Sequence, residues 1–134
     1  MSRASTNALT KRYLEWRGTP VETVQRFYGG KRHDLFGIID TVALFPWGQM
    51  WVQNCAYGSL KAHRDQIDAS RHLPWIDGQQ TLSVELWEWR KKKAGRRAIW
   101  SFRAQKRAQG VWSPVGPWVE ALAADLSPLK EKTP

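Results

Sequence analysis

The chain predicts a single mixed α/β domain in which helices flank a central sheet. Three observations lead there. Residues 36–45 and 50–55 are strand-length runs that are apolar on both faces, as strands covered on both sides are. Amphipathic segments of helical length stand before and after them, at 5–17 and 60–73. A later pair of segments, 81–89 and 98–104, alternates in the manner of half-buried strands.

Each element has a local reason. Ser5 or Thr6 caps a helix to about Arg17, with Leu9, Tyr13 and Trp16 on one face. Gly18-Thr19-Pro20 ends it. Val21–Phe27 alternates as a first strand, and Tyr28–Asp34, with Gly29-Gly30, reads as a loop. Phe36–Phe45 is the second strand, with Ile38, Asp40, Val42 and Leu44 on one face. Pro46-Trp47-Gly48-Gln49 is a hairpin turn into a third strand, Met50–Cys55. Tyr57-Gly58-Ser59 leads into a helix from Leu60 to Leu73 that Pro74 closes. Thr81–Trp89 and Ala98–Ala104 are strands joined by a basic turn, Lys91-Lys92-Lys93-Ala94-Gly95-Arg96-Arg97. Trp118–Leu126 reads as a short helix, and the tail from about residue 127 as flexible. No repeat or linker divides the chain, so residues 1–134 form one domain.

Composition narrows the function. Lys plus Arg is 21 against 12 for Asp plus Glu, a formal charge of +9. Such an excess in a small domain points to a polyanionic partner, nucleic acid first. No long basic amphipathic helix speaks for a membrane surface. The single Cys55 excludes an intramolecular disulfide and a thiolate zinc site, and His33, His63 and His72 have no zinc spacing. There is no signal-peptide pattern and no run of about 18 apolar residues. The expected location is therefore intracellular and cytoplasmic, nucleoid-associated or virally encoded within a host cell. Of nine tryptophans, eight follow residue 46. Burial in a core or interface is the commoner use of an indole, and base stacking is the other.

The chemistry centres on Asp40. It interrupts an apolar run, where an unpartnered carboxylate would be costly, so it calls for a metal or a basic partner. Gln53 follows thirteen residues later on the strand expected alongside. Oxygen ligands on neighbouring strands suit Mg²⁺, which takes one or two carboxylates and keeps its waters.

Helix, strand, loop, strand 36–45 with Asp40, then strand 50–55 with Gln53: this order resembles the PD-(D/E)xK nuclease superfamily, most closely its small archaeal and phage Holliday junction resolvase-like members. The likeness spans roughly residues 5–105. It implies a restriction-endonuclease-like central mixed sheet flanked by helices. It also implies a Mg²⁺-dependent endodeoxyribonuclease, with Mn²⁺ as a substitute ion, acting on four-way junctions or branched DNA in recombination or repair. By this resemblance Asp40 takes the place of the motif Asp and Gln53 that of the motif acid. Asp34 is a further metal or water ligand. Cys55 stands where the motif has Lys, so Lys61 or His63, just beyond, is expected to swing in. Asn7 stands eleven residues before Gly18, where such resolvases carry a Glu. Glu22 would face the site if the register of the first strand allows.

The DNA backbone would be met by Lys31, Arg32, His33, Lys61, Arg64, Lys91, Lys92, Lys93, Arg96 and Arg97. A two-fold homodimer would give symmetric cuts, with Trp87, Trp89 and Trp100 as its expected interface. Two other readings remain open. One is a catalytically weak or inactive nuclease-fold DNA-binding protein, which the missing motif acid and Lys favour. The other is an interaction module of a replication or packaging machine.

Overall fold

The computed structural model describes residues 5–129, except for the side chains of Phe27, Tyr28, Arg32 and Ala94. The first helix, α1 (Thr6–Trp16), is capped by Ser5, whose hydroxyl accepts from the Ala8 amide at 3.1 Å. It buries Leu9, Thr10, Tyr13 and Leu14 and leaves Trp16 at the surface. The expected single strand 21–27 is two pieces, β1 (Val21–Thr23) and β2 (Arg26–Tyr28). The expected loop 28–34 is largely a hairpin, in which β2 pairs with β3 (Lys31–His33) across Gly29-Gly30.

The expected strand 36–45 begins only at Thr41, as β4 (Thr41–Phe45). Residues 35–39 instead close a tight turn. Leu35 and Ile39 exchange backbone hydrogen bonds at 2.9 and 3.0 Å, and Phe36 and Gly37 both have positive φ, 52° and 76°. Gly37 makes such a turn accessible, and the turn tucks Ile38 and Ile39 into the core. The hairpin then continues into β5 (Gly48–Ala56).

The helix expected over 60–73 is also two, α2 (Leu60–Asp68) and α3 (Leu73–Asp77). Pro74 does not close the first; it sits in the opening turn of the second, where a missing N–H costs nothing. Beyond them, β6 (Leu82–Ala94) pairs parallel to β5 and antiparallel to β7 (Arg97–Ala108). Lys91, Lys92 and Lys93 therefore lie within a strand, and only Gly95 and Arg96 turn. Short β8 (Val111–Trp112) and then β9 (Val119–Ala123) both pair with β7. The helix expected over 118–126 is thus a strand: an open edge of β7 outweighs the helix propensity of Glu-Ala-Leu-Ala. Ser127 and Leu129 are hydrogen-bonded back to Ala123 and Ala121, and residues 130–134 of the expected flexible tail lie outside the described residues.

The result is a mixed α/β fold with a seven-stranded mixed sheet in the order β1-β4-β5-β6-β7-β8, with β9 beside β7. The two faces carry separate cores. On one, α1 packs Leu9, Tyr13 and Leu14 against Val52, Trp87, Trp89 and Phe102. On the other, α2 and α3 pack Leu60, Ile67, Leu73 and Ile76 against Cys55, Val84 and Leu86. Trp87 stacks flat on Phe102 at 4.2 Å between centroids. The expected interface role of Trp87 and Trp89 is overturned, since they are only 4% and 1% exposed. Their strand turns this face to α1 and its other face to α2, so the indoles fill a core. No helix among the described residues is long and apolar enough to cross a membrane.

Replacing Trp89 by Ala should lower the unfolding free energy by about 3–5 kcal/mol. Trp75→Ala, at 73% exposure, should change it by no more than about 0.5 kcal/mol. Urea unfolding of the two variants beside the parent checks both.

Candidate functional site

The turn at 35–39 delivers Asp40 to the mouth of the sheet, immediately before β4 rather than in the middle of a strand. Its backbone N–H still donates to Val52 O at 2.9 Å, and its carbonyl accepts from Val24 N–H at 2.8 Å. The next β5 amide in the ladder, that of Asn54, donates to Asp40 Oδ2 at 2.9 Å. The carboxylate thus takes over where the β4 backbone stops. It is buried, and a backbone donor aimed at it offsets part of its desolvation.

Gln25, between β1 and β2, joins two carboxylates. Its Nε2 donates to Asp34 Oδ1 at 2.6 Å and to Asp40 Oδ1 at 3.2 Å. Asn7 of α1 donates to Gln25 Oε1 at 3.1 Å and accepts from Asn54 Nδ2 at 2.9 Å. Asn54 Nδ2 also reaches Thr41 Oγ1, and Thr10 Oγ1 donates to Asn54 Oδ1. Thr10 in turn accepts from the Trp89 indole N–H at 2.9 Å, which ties the polar seam to the α1 core.

Gln53 lies on the opposite face of β5, that of α2. Its Nε2 donates to Ile38 O at 2.7 Å, which leaves Oε1 toward His63 Nδ1 at 3.0 Å. Because Oε1 can only accept, His63 Nδ1 carries the proton in this contact. Asn7, Gln25, Asp34, Asp40, Gln53, Asn54 and His63 line one cavity of about 130 Å³.

This donor set is oxygen-rich: two carboxylates and one amide carbonyl oxygen. Among the described residues no group of three His, Cys, Asp or Glu side chains converges for a metal. Two carboxylates with neutral oxygens are nevertheless what Mg²⁺ requires, since it retains waters for the rest of its shell. By ligand type the set suits a hard, oxygen-seeking cation rather than zinc, and Gln25 Nε2, which donates to both carboxylates, stands between them and would have to give way to such an ion.

The expected site residues divide. Asp40, Gln53, Asp34 and His63 come together. Lys61 does not: its side chain is 79% exposed and pairs with Asp65 at 2.9 Å along the outside of α2. Helical geometry explains this, since an i, i+4 partner on the solvent face holds the ammonium there. Glu22, on β1, is exposed and lines a different groove. Lys31 is exposed, and His33 and Arg64 are half-buried, while the Arg32 side chain lies outside the described residues. Lys91, Lys92, Lys93, Arg96 and Arg97 are exposed on the part of the β6–β7 hairpin that runs past the last β5 pairing, Ala56 with Trp89. They form a separate basic ribbon and do not line the cavity.

Gln25 and Asn54 were not anticipated from the sequence. Their only signals there were a polar residue in the 21–27 alternation and a polar residue between Gln53 and Cys55. Asn7, noted only as the place of a missing acid, is a full member of the network.

Cys55, two residues beyond Gln53, is buried against α2. Burial pushes its thiol up to about 11, with the Ser59 hydrogen bond acting the other way. At neutral pH it is a neutral thiol, so that position supplies no cation.

No protein-family model, curated protein or solved structure matches this chain.

The Cys55 thiol has a pH signature. From about pH 9 to 11 the unfolded chain loses this proton and the folded chain keeps it, so stability should fall as pH rises through that window. Denaturant titrations from pH 8 to 11 should show this decline in the parent and a flatter one in Cys55→Ala.

Proposed function

We propose that this protein is a metal-dependent DNA endonuclease of restriction-endonuclease-like fold, resembling the PD-(D/E)xK superfamily and selective for branched DNA. One observation carries the reading. Two carboxylates, Asp34 and Asp40, converge on a single amide beside the Gln53 carbonyl oxygen, in a polar cavity of a chain with charge +9. Phosphodiester hydrolysis needs that combination of hard oxygen ligands and an anion-attracting surface.

Asp34, Asp40 and Gln53 Oε1 would hold Mg²⁺, or Mn²⁺ in its place. The bound ion would shield charge on the phosphate and lower the pKa of a water. The protein groups do the positioning. The Asn54 amide fixes one oxygen of Asp40. Gln25 donates to both carboxylates, which offsets their mutual repulsion. Ile38 and His63 fix both ends of the Gln53 amide, so its oxygen cannot rotate away. In the reaction a water oxygen bonds to phosphorus, one P–O ester bond breaks, and the leaving sugar oxygen takes up a proton. His63 is the titratable side chain placed to orient that water, in the role expected of Lys61 or His63.

Lys31 on the β2–β3 hairpin and the five cations of the β6–β7 ribbon lie on different elements. Cations carried on separate elements suit two arms of a four-way junction better than one straight duplex. A two-fold homodimer would cut symmetrically. With Trp87 and Trp89 buried, only half-buried Trp100 remains from the expected interface.

A second reading, DNA binding without cleavage, draws on a specific observation. Neither Cys55 nor Lys61 brings an ammonium to the cavity.

Cleavage of a labelled four-way junction, splayed arm, single strand and linear duplex with Mg²⁺ or Mn²⁺ separates the two readings. The nuclease reading expects paired junction cuts, reduced on the order of 10²-fold or more in Asp40→Asn. Salt-sensitive binding without cuts, unchanged in Asp40→Asn, would leave the binding protein. In a thermal melt, millimolar Mg²⁺ or Mn²⁺ should raise the Tm of the parent but not of Asp40→Asn.

A further inference from the structure

The turn that places Asp40 also carries Phe36, and Phe36 is an anomaly on three counts. It is a bulky residue at φ 52°, a backbone region that costs a side chain of this type energy. The residue is 46% exposed. The ring is also held flat rather than loose: it stacks on Trp51 at 5.7 Å with 17° between planes, and meets the His72 ring at 5.3 Å.

These rings border a groove of about 270 Å³ lined by Phe36, Trp51, Trp75, Leu82 and the amides of Gln49 and Gln79. Trp75, from α3, is 73% exposed. The Trp51 indole N–H is already donated to Gln49 Oε1 at 2.7 Å and one face of that ring carries Phe36, so Trp51 backs the groove and the exposed residues Phe36 and Trp75 supply its open aromatic surface. Three aromatic rings with amide groups at the rim are what a nucleobase requires: a π surface to stack on and polar partners for its edges.

Position relates the groove to the cavity. Trp51 and Gln53 are two residues apart on the same face of β5, about 7 Å along the strand. Phe36 is two residues beyond Asp34. A base seated in the groove would therefore belong to a nucleotide next to the phosphate at the carboxylates. Paired, stacked bases offer a duplex-binding protein only their edges. Ring faces become available only where a base has left the stack, as at a flap, a gap or the centre of a junction.

We infer that the Phe36–Trp51–Trp75 groove is a stacking site for one unpaired DNA base adjacent to the scissile phosphate. This rests on the proposed function, for binding on its nucleic-acid part and for the place of the base on its phosphate site at the carboxylates, and specifies its substrate: DNA with at least one unstacked nucleotide at the cutting point. The net charge of +9 supplies the attraction for the strand, and the rings supply the discrimination.

The test needs no cleavage. Binding is measured in EDTA by fluorescence anisotropy, with the full chain, on a labelled twelve-nucleotide oligothymidylate, an abasic strand of the same length and charge, and a blunt duplex. The variants are Phe36→Gly, which removes the ring and relieves the backbone, and Trp75→Ala on the surface. The parent should bind oligothymidylate roughly tenfold more tightly than the abasic strand, the size of one stacked base. Each variant should lose most of that difference while binding the duplex as before. Phe36→Gly should melt no lower than the parent, which keeps weak binding from being misread as misfolding. Equal affinity of the parent for the oligothymidylate and abasic strands overturns the inference and leaves the proposed function standing. So does a preference retained by both variants. No salt-sensitive binding to any of the three DNAs overturns both.

Discussion

Satisfying one buried carboxylate organises this molecule. Asp40 sits where the α1 side, the β2–β3 hairpin and the mouth of β5 meet, and an unmet charge there would cost several kcal/mol. The fold meets it with the Asn54 backbone amide and the Gln25 side chain. Each of these has its own requirement. Asn54 can donate its backbone amide because the β4 backbone has already left the ladder for the turn at 35–39. Gln25 can reach because β1 stops at Thr23 and the chain breaks from the sheet before β2. The shortened strands and the tight turn are therefore conditions for burying the carboxylate.

The sheet topology places the other side of the cavity. β5 and β6 are parallel, so the chain must cross over between them, and it does so through α2 and α3 on one face. That crossover puts His63 above Gln53 and sends Lys61 outward. The opposite face is closed by α1, whose Asn7 and Thr10 project polar groups into the seam while Leu9 and Tyr13 go to the core. Both cores meet at β5, where successive residues alternate between the two faces of the sheet: Gln53 toward α2, Asn54 toward α1, Cys55 toward α2 again. Period-two geometry alone produces that division.

The same geometry explains what the cavity lacks. A lysine at position 55 would have to pass the core beneath α2 to reach the carboxylates; the residue present is a small, neutral thiol that simply fills space there. Positive charge is instead carried outside, on the β2–β3 hairpin and on the β6–β7 ribbon. Carboxylates are thus gathered inside and cations outside.

Much of this was legible in the chain. The apolar runs around 41–45 and 50–55, the cap at Ser5, the alternation of 82–89, the isolation of Asp40 and the place of Gln53 all follow from local periodicity and the cost of burying charge. Those effects act within a few residues, and one sequence is enough to read them. What the sequence did not disclose depended on neighbours distant along the chain. Gln25 and Asn54 are unremarkable polar residues until tertiary contact sets them against Asp40. Trp87 and Trp89 look available in an alternating strand until α1 covers that face. Residues 119–123 have helical composition, and they become a strand only because β7 has an open edge. Composition and local patterning determined that there would be a two-faced sheet, a buried carboxylate and a basic surface. The tertiary structure alone decided which side chains met that carboxylate, because hydrogen-bond partners and open strand edges are properties of the assembled sheet.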